Sequence, residues 1–198
     1  MTASPRARAG RGLAHEVRII GGTWKRTRLA VPDRPGLRPT PSRVRETLFN
    51  WLGQDLSGWR CLDAFAGSGA LGLEAASRGA AEVVLLERDA ALVQILGATV
   101  RRLAATQVKV ERADALAWMA RAPRGGFDLV LLDPPFDAAI FDAALAAGAP
   151  LARPGGWVYL EADREWPGPD LAALNLQCVR HLRAGAVHAH LLQAAGEG

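Results

Sequence analysis

An apolar run that ends abruptly in Asp-Pro-Pro-Phe constrains the fold of this chain more than any other stretch. The run Phe127–Leu132 reads FDLVLL, a pattern typical of a strand buried on both faces of a parallel sheet. Pro134 and Pro135 cannot continue a strand or enter a helix interior, so we expect a rigid turn just past the strand. In open α/β sheets, ligands bind at this carboxyl end of the strands.

The turn carries groups that suit a planar ligand with an amine. The Asp133 carboxylate and the Pro134 carbonyl can accept the two amine hydrogens, while the Phe136 ring can stack on the ligand face. Turns of this composition also occur simply as strand ends, so the motif alone leaves both interpretations open. The candidate catalytic residues are Asp133, Pro134, Pro135 and Phe136.

A glycine-rich loop lies upstream of this motif. Trp59–Phe65 is predicted to be the first core strand, and Gly67, Gly69 and Gly72 follow it at the spacing of the dinucleotide fingerprint. Glycines at this position let the backbone pass close to a ligand at a helix N-terminus. By itself the match is weak.

Acidic residues end the next two predicted strands. The strand that begins at Glu82 ends in Glu87, which follows Asp63 at about the distance of the ribose-binding acid in dinucleotide folds. The strand Val108–Glu111 leads to Asp114, which could bind an adenine amine. These acids place the glycine loop in the context of a nucleotide site.

The later elements complete an alternating β/α order. Ala138–Ala147 is predicted to be a helix, Gly155–Glu161 a fifth strand, and 177–183 and 186–193 a closing strand pair. We therefore predict the α/β class, with a Rossmann-like, doubly wound, mostly parallel seven-stranded sheet. The last strand is expected to be antiparallel and to lie at the edge of the sheet.

The charge is concentrated at the amino terminus. Residues 1–45 hold 11 Lys and Arg against Glu16 and Asp33, a net of +9, whereas the remainder is acidic at −5. A basic arm on a mildly acidic domain is typical of nucleic-acid-binding proteins. We predict a disordered basic tail at 1–16, a hairpin arm at 17–40 and the main domain at 41–198.

The arm interleaves basic side chains with an aromatic ring. Arg18–Ile20 and Arg28–Val31 are predicted as short strands of a hairpin whose turn contains Trp24. Such a surface suits phosphate contact and base stacking, although Trp24 could instead pack the hairpin onto the body. The candidate RNA-binding residues are Arg18, Trp24, Lys25, Arg26, Arg28, Arg38 and Arg43.

A helix is predicted directly after the arm. Thr40 is placed as its N-cap and Pro41 at its first helical position. Its apolar face is formed by Val44, Leu48, Trp51 and Leu52.

Several functions are disfavoured by composition. Cys61 and Cys178 each lie in strand-like segments, so disulfides are not expected. His188 and His190 share one face of the last strand but lack a third ligand, so no metal is predicted. No apolar run approaches the roughly 18 residues that span a membrane, and no signal peptide is seen. We expect a cytoplasmic protein without a membrane partner, and a monomer.

Four linked signals carry a family resemblance: the Asp63-to-glycine start, Glu87, Asp114 and the Asp-Pro-Pro-Phe turn. Together they resemble the AdoMet-dependent methyltransferases that modify exocyclic amino groups of bases. Within this superfamily, the stretches 18–52, 61–80 and LDPPF resemble the bacterial ribosomal RNA small-subunit methyltransferase D family. One departure is Ser42, where that family typically has Asp, so a polar role at this position is in doubt.

The resemblance implies S-adenosyl-L-methionine (AdoMet) as methyl donor, S-adenosyl-L-homocysteine as product, and no metal. The methionine part would meet Asp63 and the turn 65–69, the ribose Glu87, and the adenine the region of Arg88 and Asp114. The implied cofactor-binding residues are Asp63, Phe65, Ala66, Gly67, Ser68, Gly69, Glu87, Arg88, Asp114, Ala115 and Thr40.

The resemblance also implies a substrate. It is the N2 amine of guanine 966 in 16S rRNA, within the small subunit or a late assembly intermediate. Asp133 and the Pro134 carbonyl would accept the amine hydrogens, and Phe136 would stack on the flipped base. The sequence leaves open which group takes the released proton.

Three alternatives come from the same residues. A DNA amino-methyltransferase acting on adenine N6 or cytosine N4 shares the tetrapeptide, but the chain has no room for a target-recognition domain. An NAD(P)-dependent oxidoreductase could use the loop Gly67–Gly72, yet Asp133 and its neighbours would then have no purpose. A non-catalytic RNA-binding module would bind RNA without AdoMet and form no product.

Overall fold

The structure is a computed structural model that describes residues 15–32, 40–135 and 140–196. Arg38, Phe136 and nearly all of the predicted basic tail lie outside the described residues. No helix in the described part of the chain is long and apolar enough to cross a membrane.

The elements alternate along the chain as predicted. The strands are β1 His15–Arg18, β2 Arg28–Val31, β3 Arg60–Asp63, β4 Glu82–Glu87, β5 Val108–Arg112, β6 Phe127–Leu132, β7 Ala152–Ala162, β8 Leu176–Ala184 and β9 Val187–Ala194. The helices are α1 Ser42–Leu52, α2 Ala70–Ser77, α3 Ala90–Arg102, α4 Ala115–Met119, α5 Ile140–Gly148 and α6 Gly168–Ala172, with a 3₁₀ turn at Ala149–Leu151.

The main sheet has seven strands in the order β5-β4-β3-β6-β7-β9-β8. Neighbouring strands from β5 to β7 are parallel, and β9 is antiparallel to both β7 and β8. The predicted class and the antiparallel last strand are therefore confirmed. The predicted edge position of that strand is wrong, because β9 lies one place inside and β8 forms the edge. The reason is burial: the middle of β9 is buried, whereas β8 is largely exposed.

The core lies on both faces of this sheet. Along β6, Leu129 and Leu131 pack into one hydrophobic cluster, and Val130 and Leu132 pack into the other. All four side chains are fully buried. The apolar run of β6 is thus buried on both faces of the sheet, as its sequence predicts.

The arm is a separate two-stranded antiparallel sheet of β1 and β2. Its first strand begins at His15 and ends at Arg18. The observed strand therefore lies closer to the N-terminus than the predicted strand Arg18–Ile20. Ile20 does not continue the strand because its N–H donates to the Glu74 carboxylate, 2.8 Å away. A tertiary contact therefore replaces the strand pairing that the local pattern predicts.

Candidate active site

Four carboxylates gather where the central strands end. Asp63 ends β3, and Glu87 ends β4 beside it. Asp133 follows β6, whose last residue, Leu132, is opposite Leu160 on β7. Glu161 comes directly after Leu160, so it occupies on β7 the place that Asp133 has after β6. The parallel order of the strands brings these acids to one edge of the sheet.

Asp63 is a buried carboxylate with one open hydrogen-bonding position. Its Oδ2 accepts a hydrogen bond from the Gly72 backbone N–H at 2.9 Å. Its Oδ1 is buried and has no hydrogen-bond partner among the described residues. Burial raises the pKa of Asp63 to about 7, although the Gly72 bond opposes this shift. An orphaned acceptor at this place is suited to a donor from a ligand.

The glycine loop leaves β3 through backbone conformations that favour glycine. Gly67 has φ 52° and Gly69 has φ 78°, both in the left-handed region. A Cβ on Gly72 would lie 2.2 Å from Leu85 Cδ2, so this glycine permits close packing of α2 on the sheet. The loop and the start of α2 are therefore fixed to the ends of β3 and β4.

Glu87 holds the loop from the neighbouring strand. Its Oε2 accepts from the Gly67 N–H at 3.0 Å, and its Oε1 accepts from the Asp89 N–H at 2.7 Å. The carboxylate is half-buried, so its remaining acceptor positions can face a ligand. This position is consistent with the predicted ribose contact, which stays a prediction.

The residues predicted to border the adenine lie at the ends of β4 and β5 and at the start of α4. Asp114 is exposed, and its Oδ1 accepts from the Ala117 N–H at 2.9 Å as the N-cap of α4. Arg88 is exposed, whereas Ala115 is buried at the start of α4. Their role towards a cofactor stays a prediction. In the loop itself, Ala66, Ser68 and Gly69 are buried, and Phe65 and Gly67 are half-buried.

Asp133 is held by a residue that precedes α1. Its Oδ2 accepts a hydrogen bond from Thr40 Oγ1 at 2.9 Å. Burial, followed by the charge of Glu161, raises the pKa of Asp133 well above its usual value. Pro134 is buried and Pro135 is exposed, so the turn keeps one face towards solvent.

Thr40 does not cap α1, and the prediction of that role is wrong. The helix begins at Ser42, and its N-cap is Pro41, which has no side chain able to accept from the helix N–H groups. Pro41, which was predicted to be the first helical residue, is therefore the N-cap, one position earlier in the helix. The Thr40 hydroxyl is used by Asp133 instead, which is 93 positions later in the chain. The sequence around Thr40 predicts a helix cap and carries no information about this long-range contact.

Sequence reasoning missed Glu161 and Tyr159. Glu161 is 2% exposed, and its Oε1 accepts from the Tyr159 hydroxyl at 2.8 Å. Burial raises the pKa of Glu161, while Tyr159, Thr40 and Arg45 oppose that shift. A signal was present, since Glu161 ends the apolar strand that the sequence predicts at Gly155–Glu161.

A buried ion cluster fixes the arm to the main domain. The two carboxylate oxygens of Glu74 accept from the backbone N–H groups of Ile20 and Gly21, both at 2.8 Å. Arg78 and Arg45 form ion pairs with the same carboxylate at 2.8 and 3.4 Å. Removing one partner of such a cluster leaves buried charge and typically costs about 3–5 kcal/mol. The arm is therefore anchored to α2, the helix that follows the glycine loop.

Most of the predicted RNA-binding cations lie at the surface. Arg18, Lys25, Arg26, Arg28 and Arg43 are all exposed. Arg28 also forms an ion pair with Glu16 at 3.2 Å.

Trp24 packs against the core, the alternative that the sequence left open. It is half-buried against the main hydrophobic cluster, and its N–H in the backbone donates to Ser77 Oγ at 2.9 Å. A solvent-open cavity of about 510 Å³ lies between the arm and α1, with Lys25 and Glu46 among its lining residues. The arm is thus packed against the main domain through Trp24.

The histidines of the closing strand pair have different surroundings. His190 is fully buried, and its Nε2 accepts from the Trp166 N–H at 3.2 Å. Burial lowers the pKa of His190 to about 4. His188 Nδ1 lies 3.0 Å from His181 Nε2, and both rings have a nitrogen within 4.8 Å of a Glu165 oxygen. His190 is therefore a packing residue, whereas Glu165, His181 and His188 form a separate group nearer the surface.

Comparisons with known proteins identify the family. The family described as conserved hypothetical protein 95 matches residues 17–193. Ribosomal RNA small subunit methyltransferase D of Escherichia coli K12 is 40% identical over 189 residues, which cover 92% of each chain. The protein of the same name from Haemophilus influenzae is 38% identical over 157 residues, covering 77% of this chain and 81% of that protein. The chain belongs to the ribosomal RNA small subunit methyltransferase D family.

Solved structures agree with membership of the methyltransferase D family. A structure named methyltransferase yhhF from Escherichia coli has a TM-score of 0.78 and 34% identity, and covers 92% of this chain and 100% of that one. A 16S rRNA N2 G1207 methyltransferase from Thermus thermophilus, solved with AdoMet and guanosine, has a TM-score of 0.59 and 26% identity. The match covers 93% of this chain and 45% of that chain.

Ser42 is exposed at the first turn of α1. Its Oγ accepts a hydrogen bond from Arg45 Nη2 at 3.3 Å. The hydroxyl therefore supplies one acceptor for the buried Arg45 guanidinium without adding a charge to the cluster around Glu74.

Proposed function

We propose that this chain transfers a methyl group from AdoMet to the N2 amine of guanine 966 in 16S rRNA. The observation that carries the proposal is the pairing of two half-sites on adjacent strands. The Asp63 loop follows β3, the Asp133 turn follows β6, and these two strands pair in parallel at the centre of the sheet. Donor and acceptor of a methyl group would then lie side by side at one edge.

The residues present fit AdoMet on several grounds. Asp63 offers an orphaned buried oxygen for an ammonium or amide donor, and the loop from 65 to 69 brings main chain close to the ligand. Glu87 offers acceptors for ribose hydroxyls at the end of β4. Arg88, Asp114 and Ala115 would border the adenine. AdoMet supplies a methyl group already activated by its sulfonium, so the protein need not activate the donor.

The protein must instead prepare a poor nucleophile. The lone pair of the guanine amine is delocalised into the ring, so the nitrogen must become more pyramidal before it can react. The Asp133 carboxylate and the Pro134 carbonyl would accept the two amine hydrogens, which aims the lone pair out of the ring plane. Phe136 would stack on the base after it leaves its helix.

An rRNA substrate is supported by the relatives and by charge. The relatives named above are ribosomal RNA small subunit methyltransferases, and one structural neighbour was solved with guanosine. Exposed cations on the arm suit the phosphates of a folded RNA. We infer action on the small subunit or a late assembly intermediate in the cytoplasm, by a monomer and without a metal.

Transfer of labelled methyl from AdoMet tests this proposal. Unmodified small subunits, free 16S rRNA and duplex DNA are compared as substrates, and the labelled nucleoside is identified and mapped. The expected result is N2-methylguanine at position 966, and the better RNA substrate fixes the assembly state. Label on adenine or cytosine of DNA would favour the DNA amino-methyltransferase, and RNA binding without product would favour a non-catalytic module.

A further inference from the structure

The guanidinium of Arg45 is fully buried, and its Nε and both Nη atoms all donate hydrogen bonds. Nε donates to the Thr40 carbonyl at 3.3 Å. Nη1 and Nη2 both donate to the Arg18 carbonyl at 3.1 Å. Nη1 also donates to Glu74 Oε2 at 3.4 Å, and Nη2 donates to Ser42 Oγ at 3.3 Å. The donors of this group are thus satisfied within the described part of the chain, which fixes its position.

These acceptors belong to three separate parts of the fold. Arg18 ends β1 of the arm, Thr40 and Ser42 lie where the chain enters α1, and Glu74 is on α2. Two of the acceptors are backbone carbonyls, so the guanidinium holds main chain as well as side chains. A guanidinium is planar and its donors have fixed directions. The carbonyls of Arg18 and Thr40 are therefore held in a fixed relation to each other.

Thr40 connects this group to the candidate site. Its carbonyl accepts from Arg45, while its hydroxyl donates to Asp133 Oδ2 at 2.9 Å. Thr40 is buried, so water competes little for either contact. A path of hydrogen bonds therefore leads from the Arg18 carbonyl on the arm, through Arg45 and Thr40, to the carboxylate of Asp133.

The arm has other anchors on α2 besides Arg45. The two carboxylate oxygens of Glu74 accept from backbone N–H groups of the arm, both at 2.8 Å. Ser77 Oγ accepts from the Trp24 N–H at 2.9 Å and donates to a backbone carbonyl of the arm at 2.6 Å. These contacts attach the arm to the main domain but do not reach Thr40. The contribution that distinguishes Arg45 is its bond to the Thr40 carbonyl.

We propose that Arg45 is a positioning residue that couples the docked arm to Thr40 and, through Thr40, to Asp133. The inference rests on the proposed function. An rRNA whose phosphates are bound by the arm is then held in a fixed register with the carboxylate that accepts the amine hydrogens. Arg45 is buried and acts only through Thr40. Its position matters because a misplacement of about 1 Å at a reacting group can lower the rate about 10²-fold.

A double-mutant cycle between Arg45→Lys and Thr40→Val tests the coupling. Lysine keeps the positive charge beside Glu74 but cannot reproduce the planar set of donors, and valine keeps the shape of Thr40 without its hydroxyl. At saturating AdoMet and small subunits, each single variant should lower the single-turnover rate about tenfold or more. The double variant should stay within about threefold of the slower single variant, because both changes disturb the same bond to Asp133. A rate lowered by the product of the two single losses would overturn the coupling.

Ser77→Ala is the matched control, because it removes an anchor of the arm without removing a partner of Arg45. Its effect should appear mainly in KM for small subunits. Any loss of rate that it causes should multiply with the loss in Thr40→Val. If Ser77→Ala were as non-additive with Thr40→Val as Arg45→Lys is, any loosening of the arm would disturb the site, and the specific role of Arg45 would be refuted.

Ser42→Ala keeps the cycle measurable even if the lysine variant does not fold. It removes one acceptor of the Arg45 guanidinium at an exposed position. The single-turnover rate should fall about two- to fivefold when Ser42→Ala is made in wild type, and should not fall further when it is made in Thr40→Val. The same loss in both backgrounds would contradict the coupling.

A titration of Asp133 without rRNA or AdoMet separates this inference from the proposed function. Burial and the charges of Glu161 and Asp63 raise the pKa of Asp133, whereas the bond from Thr40 lowers it. In protein labelled with ¹³C at the carboxyl groups, NMR should therefore show a higher Asp133 pKa in Arg45→Lys and in Thr40→Val, and no further rise in the double variant. An Asp133 titration that does not move in Arg45→Lys would contradict the coupling. Failure of the wild-type protein to form N2-methylguanine would instead refute the proposed function, and the titration would still decide the coupling.

Discussion

The two halves of the candidate site are held in different ways. On the side of the glycine loop, Asp63 and Glu87 accept hydrogen bonds from backbone N–H groups of the loop and its neighbours. On the side of the Asp-Pro-Pro turn, Asp133 and Glu161 accept from the hydroxyls of Thr40 and Tyr159. The donors of one half are thus backbone N–H groups, and the donors of the other half are side-chain hydroxyls.

This difference suggests that one half binds the cofactor and the other half takes part in the reaction of the amine. Backbone donors are fixed by the fold, which suits a site that must bind the same cofactor in every cycle. Hydroxyl groups can turn and exchange hydrogens, which suits a site where a proton must leave. We therefore expect substitutions in the two halves to have separable effects on binding and on the methyl-transfer rate.

The largest expected effect is on the side-chain half. Asp133→Ala should reduce the single-turnover rate of methyl transfer to small subunits by about 10²–10³-fold, because a charged acceptor of the amine hydrogens is lost. Asp170→Ala, at an exposed position of α6, is the matched control and should keep the wild-type rate. A loss of less than about threefold in the Asp133 variant would contradict its assigned role.

The next effect concerns stability and pH on the main-chain half. Asp63 has a pKa of 3.8 when unfolded and about 7 in the fold, so the folded state binds more protons between these values. Stability contributed by neutral Asp63 is present at low pH and is lost as pH rises through about 7, by roughly 4 kcal/mol at most. Denaturant unfolding of wild type and Asp63→Asn across this range measures it. Parallel pH dependences in the two proteins would show that the Asp63 pKa is not raised.

A smaller effect is expected from packing at the loop. The Cβ of Gly72→Ala would lie 2.2 Å from Leu85 Cδ2 and 3.0 Å from Asp63 Oδ2, so the variant should lose about 1–3 kcal/mol of stability. Its AdoMet affinity should fall with it. Gly168→Ala is the control, because nothing lies within 4 Å of its added Cβ. Equal unfolding midpoints for the two variants would argue against tight packing at Gly72.

The smallest effect belongs to the arm. Lys25→Ala should weaken binding to small subunits about two- to fivefold. The slope of the logarithm of the binding constant against the logarithm of salt concentration should fall by the amount expected for about one lost phosphate contact. Lys109→Ala is the charge-matched control, since Lys109 pairs with Glu82 on the far strands of the sheet. The same loss in both variants would mean that net charge matters and the arm does not.

The main-chain half could be predicted from the sequence because its signals are local. The apolar runs of β3 and β6, the spacing of Gly67 and Gly69, and the acid that ends β4 all lie within short windows. The order of the parallel strands then follows from their alternation with helices. These rules are sufficient to bring Asp63 and Asp133 to the same edge.

The contact that holds Asp133 in the side-chain half could not be predicted in this way because it joins residues that are 93 positions apart. Thr40 looks like a helix cap in its own segment, yet its hydroxyl bonds to Asp133. Outside the site, at the anchor of the arm, Ile20 looks like part of a strand, yet its N–H donates to Glu74. In both places a carboxylate shielded from water gains a hydrogen-bond donor, and that long-range contact outweighs the local preference of the segment.

The most direct test of this division between a cofactor half and an amine half is AdoMet affinity. Titration calorimetry would compare the AdoMet dissociation constants of wild type, Asp133→Ala and Asp63→Asn. We predict that the Asp133 variant binds AdoMet within about twofold of wild type, whereas the Asp63 variant binds at least tenfold more weakly because a buried charge-assisted acceptor is lost. Equal loss of AdoMet affinity in the two variants would contradict the assignment of Asp133 to the amine side of the site.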